Sequence, residues 1–315
     1  MKSEIKYVQE TTLTILQNVN PYLHAATSEN TRKAYQQDIR HFMVWGGLLP
    51  TTPEIILQYL QHYAEKLNPQ TLKRRIIAIR HWHTYQGFND PTSHPLIIKM
   101  LSGISRLHGT PPTKAPTLSV EQLIKIANYL SAQGSLAAYR DNALLQIGFF
   151  GAFRRSELAA LKWEDINFVA EGLVILIPRS KTDQEGKGLI CAIPYGNKVL
   201  CPVGALQQWR KRSNITMGPV FNRISKNSQQ KSSALSPVSI NWIIKKYAQV
   251  CELPDAKSYS GHSLRRGFAT AASRKGASFS AIMRHGRWRH EGTVHGYIEE
   301  GQQFKDNAVN SILKG

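Results

Sequence analysis

The segments "GHSLRRGFAT" and "GRWRHEGTVHGYIEE" place His262, Arg265, Trp288 and Tyr297 within one short span of the chain. Cationic donors and an aromatic hydroxyl make a poor apolar core. They suit a negatively charged target that a hydroxyl can attack. His262 and Arg265 stand at i, i+3 and share one face if a helix opens at His262 or Ser263. The free N–H groups of such a first turn also favour an anion. Upstream, "GAFRRSELAALKWEDI" sets Arg154 directly after the apolar run "LLQIGFFGAF", so a guanidinium stands where a buried helix ends. A cation there needs an anion, and Glu157 is within local reach. Between these segments, "GLVILIPRSKTDQEGKGLICAIPYG" supplies Lys181 and Lys187 in a polar loop.

Together these groups match the demands of a phenol attacking a phosphodiester. Two guanidiniums neutralise the non-bridging oxygens as charge builds. A proton must leave the phenol, whose ordinary pKa is about 10, and another must reach the departing oxygen. The covalent link then conserves the energy of the ester, so no nucleotide cofactor is required. No metal is called for either. His285, His290 and His295 recur every five residues, a period that spreads them around a helix. His81 and His83 point apart at i, i+2, and no carboxylate or cysteine completes a ligand set.

The elements that must position these groups form two parts. The break falls at "HGTPPTKAPTLS", residues 108–118 being read as an extended linker. Before it lie four helices. "SENTRKAYQQDIRHFMVWGG" opens on Ser28 and stops at paired glycines. "TTPEIILQYLQHYAEKL" carries Pro53 in its first turn behind a threonine cap. "NPQTLKRRIIAIRHWHTYQG" lines up Leu72, Ile76, Ile79 and His83 on one face. "PLIIKMLSGISRL" is a shorter fourth. Off those apolar stripes, Arg32, Lys33 and Arg40 on the first helix and Lys73, Arg74, Arg80 and His81 on the third are candidates for a duplex groove or its phosphates. After the linker, helical patterns resume around one hairpin, formed by the β-rich runs that flank the Lys181 loop. Residues 1–27 read as a poorly patterned arm, 28–107 as a helical bundle, 119–300 as the chemical domain and 301–315 as a tail. The fold class is mainly α with a small β component.

Composition agrees with a polyanionic partner. The chain has 315 residues, 42% of them hydrophobic, and 40 Lys plus Arg against 21 acids give a formal charge of +19. That surplus favours nucleic acid. Cys191, Cys201 and Cys251 form no paired framework and read as small core residues in a reduced compartment. The N-terminal "MKSEIKYVQE" has no apolar h-region, and no apolar run is long enough to span a bilayer. The expectation is a basic, intracellular protein with no membrane partner.

In this order the residues resemble the tyrosine recombinase (phage integrase) family: an arginine in "FRRSEL", a hairpin lysine in "SKTDQEG", "HSLR", a Trp in "GRW" and a Tyr in "HGYI". The Trp and the "GHS" are similar to the Cre branch. The resemblance implies a helical core-binding domain and an α+β catalytic domain forming a C-shaped clamp. It implies that Arg154 and Arg265 hold the scissile phosphate and Tyr297 attacks it. Lys181 protonates the 5′-oxygen, His262 assists proton transfer, Trp288 positions the phosphate and Glu157 braces the site from behind. It further implies a 3′-phosphotyrosyl link and a Holliday junction. The partner is double-stranded DNA with an inverted-repeat site, bound by a homotetramer on two sites that is a monomer when free. The setting is the nucleoid-associated cytoplasm of a bacterium, phage or mobile element. Ala152 stands where the family usually has Gly. Lys181 versus Lys187 stays open, as does the tail's docking on its own domain or in trans. A type IB topoisomerase shares the chemistry, and a DNA-binding protein without catalysis is the reading from another class.

Overall fold

A computed structural model describes residues 26–111, 113–178, 188–225, 227, 229–302 and 309–313. Most of the expected arm, both hairpin lysines and Phe304 of the tail lie outside the described residues. The chain divides into two compact units, one through Thr113 and the other from Lys114.

Among its described residues the first unit has four α-helices, α1 (Glu29–Trp45), α2 (Pro53–Tyr63), α3 (Pro69–Tyr85) and α4 (Pro95–His108). Local chemistry sets their ends. Ser28 Oγ accepts from the Thr31 N–H, and Gly46 closes α1 in the left-handed region at φ 114°. Proline opens α2, α3 and α4, where a missing N–H costs no hydrogen bond. Thr52 precedes α2 as expected, but its side chain makes no cap hydrogen bond. Phe42, Ile56, Tyr59, Leu60, Leu72, Ile76, Ile79, Ile97 and Ile104 form the core. His83 completes the face of α3: its Nδ1 donates to the Ile79 carbonyl at 2.8 Å while Nε2 accepts from the Thr51 N–H at 2.9 Å. Both ring nitrogens are thereby satisfied inside the bundle.

The second unit is built on α5 (Val120–Gln133), α6 (Leu136–Phe150), α7 (Arg155–Ala160), α8 (Pro202–Ser213), α9 (Pro237–Val250), α10 (Gly261–Arg274), α11 (Phe279–Gly286) and α12 (Glu291–Gln302). A last short helix, α13, spans Val309–Leu313. Helix α6 is buried on most sides, its Arg140 paired with Asp141, and it is the inner axis covered by α5, α8 and α10. Strands β1 (Ile166–Val169), β2 (Gly172–Ile177) and β3 (Leu189–Pro194) form an antiparallel sheet in that order. Leu173, Ile175 and Ile177 turn inward with Cys191 and Ile193, as period-2 alternation requires. A second hairpin pairs β4 (Asn222–Ile224) with β5 (Gln230–Ala234).

Two expectations are corrected here. The β component is larger than one hairpin, because β1 adds to the free edge of β2 and β4–β5 forms separately. β1, "INFV", is too short to stand out although Ile166 and Phe168 pack on the core, and β5 reads "QKSSA", with no apolar alternation. Residues 113–118 carry no helix or strand, yet they are not a free spacer. The Leu118 N–H donates to the Ser263 carbonyl at 3.1 Å, and Arg266 Nη1 donates to the Ala115 carbonyl. Gly267 permits this, since a Cβ there would strike the Leu118 carbonyl oxygen. Among the described residues no helix is long and apolar enough to cross a membrane.

Candidate active site

Four pieces of the second unit converge on one pocket: the elbow between α6 and α7, the first turns of α10, the turn after α11, and α12. The elbow is made by Gly151, Ala152 and Phe153. Ala152 sits in the left-handed region at φ 46°, which lets the chain reverse and leaves its carbonyl facing two guanidiniums. Arg265 Nη1 donates to that oxygen, and Arg287 Nη2 approaches it at 3.4 Å.

Arg154 caps α7. Its backbone N–H donates to Glu157 Oε2 at 3.0 Å and its Nη1 to Glu157 Oε1 at 2.6 Å. Arg287, on the other side, lies 3.5 Å from Glu157 Oε2. Burial alone pushes the Glu157 carboxyl upward, but the Arg154 N–H, the Arg287 charge and the Arg154 side chain outweigh it and hold it below the ordinary glutamate value. The buried carboxylate is therefore a clasp between two guanidiniums.

Helix α10 begins at an Ser260 cap, and Ser263 Oγ accepts from the Ser260 N–H at 3.0 Å. This opening sets His262 at the rim and Arg265 in the interior, 4% exposed. Arg265 lies over the Trp288 ring at 4.0 Å from its centroid, while its Nη2 finds no hydrogen-bond partner among the described residues. Burial first, and then the charge of Arg154, lowers its pKa to about 9. It remains a cation at neutral pH, but one with little to balance it. His262 is lowered as well, by burial and then by Arg155, Arg265, Arg154 and Arg266 in turn. The imidazole is accordingly neutral near pH 7 and able to accept a proton.

Trp288 and Tyr297 meet edge to face at 6.2 Å. The Tyr297 ring also lies 5.3 Å from the Arg266 guanidinium, and its carbonyl accepts from Thr270 Oγ1 at 3.1 Å. Ala269, Ile282 and Val294 pack α10, α11 and α12 together beneath it. Gly286 leaves room for the indole, because a Cβ there would overlap the Trp288 ring. Arg154, Glu157, His262, Arg265, Trp288 and Tyr297 thus share one neighbourhood. Arg155 lies beside Gly261 at its edge, and Arg266 is buried behind Tyr297.

The sequence reading missed two residues here. Arg287 is buried, and His285 stacks on Phe268 at 4.7 Å while its Nε2 donates to the Phe150 carbonyl at 2.6 Å. The histidine spacing argument is also corrected. His285 belongs to α11, His290 precedes α12 and His295 lies on it, so the three do not share a helix. A second cation inside "GRW" was the available signal for Arg287.

The first-unit candidates are placed differently from one another. Arg40 is exposed and Lys73 half-buried on the helix surfaces. Lys33 pairs with Glu29 at 2.6 Å, Arg80 with Asp90 at 3.3 Å, and Arg32 with the Thr27 carbonyl. His81 packs between Tyr35 and Tyr85. Arg74 makes two 2.8 Å bonds to the buried Asp38, which Arg75 also approaches, at 3.5 Å. That pair ties α3 to α1, a structural duty the basic face alone did not disclose.

Comparison with known proteins adds the following. Residues 117–303 match the model of the phage integrase family. Over 299 residues the chain is 37% identical to the integrase/recombinase XerD homolog of Selenomonas ruminantium, covering 92% of this chain and 87% of that one. It is 24% identical to recombinase Cre of Escherichia phage P1 over 295 residues, 87% of this chain and 84% of Cre. Both matches span most of the chain, the identity to the XerD homolog being the higher of the two. In fold it is similar to XerH site-specific recombinase bound to palindromic difH substrate, with a TM-score of 0.66, 20% identity, and coverage of 91% of this chain and 80% of that one. The Tn1549 transposon integrase in complex with transposon right end DNA gives a TM-score of 0.62 at 16% identity, covering 86% and 89%.

Proposed function

The chain belongs to the phage integrase family and is a tyrosine recombinase, and from that premise we propose that it cuts and rejoins DNA at defined sites through a 3′-phosphotyrosyl intermediate. The observation that carries the reading is Arg265: a buried guanidinium over the Trp288 ring, with Nη2 unpartnered among the described residues, beside Arg154 and near Tyr297. That is a seat for one phosphate.

In this reading Arg154 and Arg265 grip the non-bridging oxygens of the scissile phosphate. The Tyr297 oxygen forms a bond to phosphorus as the bond to the 5′-oxygen breaks. The phenolic proton passes toward His262, and Lys181, or its loop neighbour Lys187, gives a proton to the departing 5′-oxygen. Trp288 orients Arg265 and the phosphate, and Glu157 holds Arg154 in line. A 5′-hydroxyl from a partner duplex then attacks the phosphotyrosine and restores Tyr297. Phosphodiester number is conserved at each step, so the exchange balances without a nucleotide. Repetition on the remaining strands passes through a Holliday junction, carried out by a tetramer on two inverted-repeat sites. Arg40 and Lys73, with Arg32, Lys33, Arg80 and His81, are the first unit's candidates for phosphate contact.

The test is strand exchange between a labelled and an unlabelled duplex that carry the site recovered from protein-bound DNA. Recombinant strands and a transient four-way junction are expected. Relaxation of any supercoiled plasmid with no exchanged strands, the behaviour of a topoisomerase, would contradict the reading.

A further inference from the structure

The turn after α11 holds a residue that the chemistry above does not use. Arg287 has φ 57°, in the left-handed region where glycine is the ordinary occupant of a helix C-cap. An arginine held there has to be retained by its side chain, and the contacts are extensive. The side chain is 3% exposed and lies 3.5 Å from Glu157 Oε2. Its Nη2 donates to the Gly151 carbonyl at 2.9 Å and its Nη1 to the His285 carbonyl at 2.8 Å. The guanidinium lies 4.8 Å from the Phe153 ring centroid. In return, the Arg287 carbonyl receives Arg154 Nη2 at 3.4 Å.

Apart from the local bond to the His285 carbonyl, those contacts end on groups that aim Arg154 or Arg265. Glu157 and the Arg287 carbonyl fix Arg154. The Gly151–Ala152 elbow presents the carbonyl that fixes Arg265. We propose that Arg287 is a positioning residue that locks both guanidiniums in register, acting through Glu157 and the elbow and not by touching DNA. The proposal rests on the reading of Arg154 and Arg265 given above.

This role has a signature in pH. The titratable and charged groups around Glu157 are Arg154 from the α7 cap, Arg265 from α10, Arg287 from the end of α11 and the Cys191 thiol from β3, while His285 stands beside Arg287 and Arg265. Removing Arg287 takes away one of the charges that keep Glu157 ionised. Its protonation then begins at higher pH, Arg154 loses its clasp, and the acid limb of the cleavage profile moves upward.

The experiment measures covalent cleavage of a nicked duplex by the full chain at saturating protein, from mildly acidic to neutral pH. It compares wild type with Arg287→Gly, which suits the left-handed backbone, and Arg287→Lys, which restores charge. Arg287→Gly is expected to bind duplex as wild type does but to cleave about ten- to 10²-fold more slowly. Its acid limb should lie at higher pH, with partial recovery of both in Arg287→Lys. The proposal is overturned if Arg287→Gly cleaves at the wild-type rate. It is equally overturned if the rate falls only below saturating protein, which makes Arg287 a DNA contact, or if the rate falls with the limb unmoved, which makes it packing alone. Should the melting curve show Arg287→Gly unfolded, Arg287→Lys decides: a displaced limb supports the role and an unmoved limb ends it. Wild-type adduct, lost in Tyr297→Phe, tests the reading of the site itself, so the two failures remain distinct.

Discussion

The Arg265 guanidinium lies over the Trp288 ring, 4.0 Å from its centroid, and Trp288 in turn meets Tyr297 edge to face at 6.2 Å. One indole therefore orders both the cation proposed to receive the phosphate and the phenol proposed to attack it. A desolvated cation–π contact contributes about 0.5–2 kcal/mol. Trp288→Leu should slow single-turnover cleavage by about tenfold, the upper part of that range, and Trp288→Phe by less. Unchanged cleavage in Trp288→Leu would show that the stacking has no catalytic consequence.

Adjacent arginines should separate by phenotype. Arg154 is clasped by Glu157 and faces the pocket, whereas Arg155 lies at its edge against Gly261. Arg154→Ala is expected to abolish cleavage at saturating protein. Arg155→Ala should mainly weaken binding and reduce the log–log salt slope by about one. Removing Arg155, the first of the charges that depress His262, also lets that imidazole titrate at higher pH. Equal loss of single-turnover cleavage in the two variants would overturn the assignment.

The elbow at Ala152 is open to a stability test. A left-handed L-residue costs about 1–2 kcal/mol, while glycine gives back about 0.4–1 kcal/mol through the unfolded chain. Ala152→Gly should therefore be neutral or stabilising by about 1 kcal/mol, against the usual direction of a buried alanine substitution. Denaturant melts provide the measurement, and a loss beyond about 1 kcal/mol would contradict the backbone argument.

His285 carries a pH dependence of stability. Burial lowers its pKa below the ordinary 6.5, so the folded chain prefers the neutral ring more than the unfolded chain does. The associated stability is fully present above that value and is lost as pH falls through the lower folded one. His285→Gln keeps a donor for the Phe150 carbonyl but does not titrate. Its melting temperature should fall less steeply with acidification than that of wild type. Parallel slopes would mean that His285 does not contribute.

Sequence alone disclosed what local pattern encodes. Ser28, Pro53 and the Leu72–Ile76–Ile79–His83 face each act within a few residues, and each is found as read. The pairing of β2 with β3 was equally legible from its apolar runs. Arg154 with Glu157 was accessible because the pair is one helical turn apart. What escaped was decided at long range. Arg287 reaches Gly151 and Glu157, and Asp38 takes Arg74 from another helix, through contacts that no spacing rule reports. β5 has no apolar stripe to announce it, and Cys201, read as a core thiol, accepts the Gly204 N–H at the start of α8. The cations least legible from sequence were those with buried partners.

The most direct measurement is the bond itself. Protein incubated with a nicked duplex of its own site, then denatured and digested, should yield a peptide containing Tyr297 esterified to a 3′-phosphate. Tyr297→Phe should bind that duplex and give no such peptide. An ester on any other residue, or free cut ends with no adduct while the duplex is bound, would contradict the account.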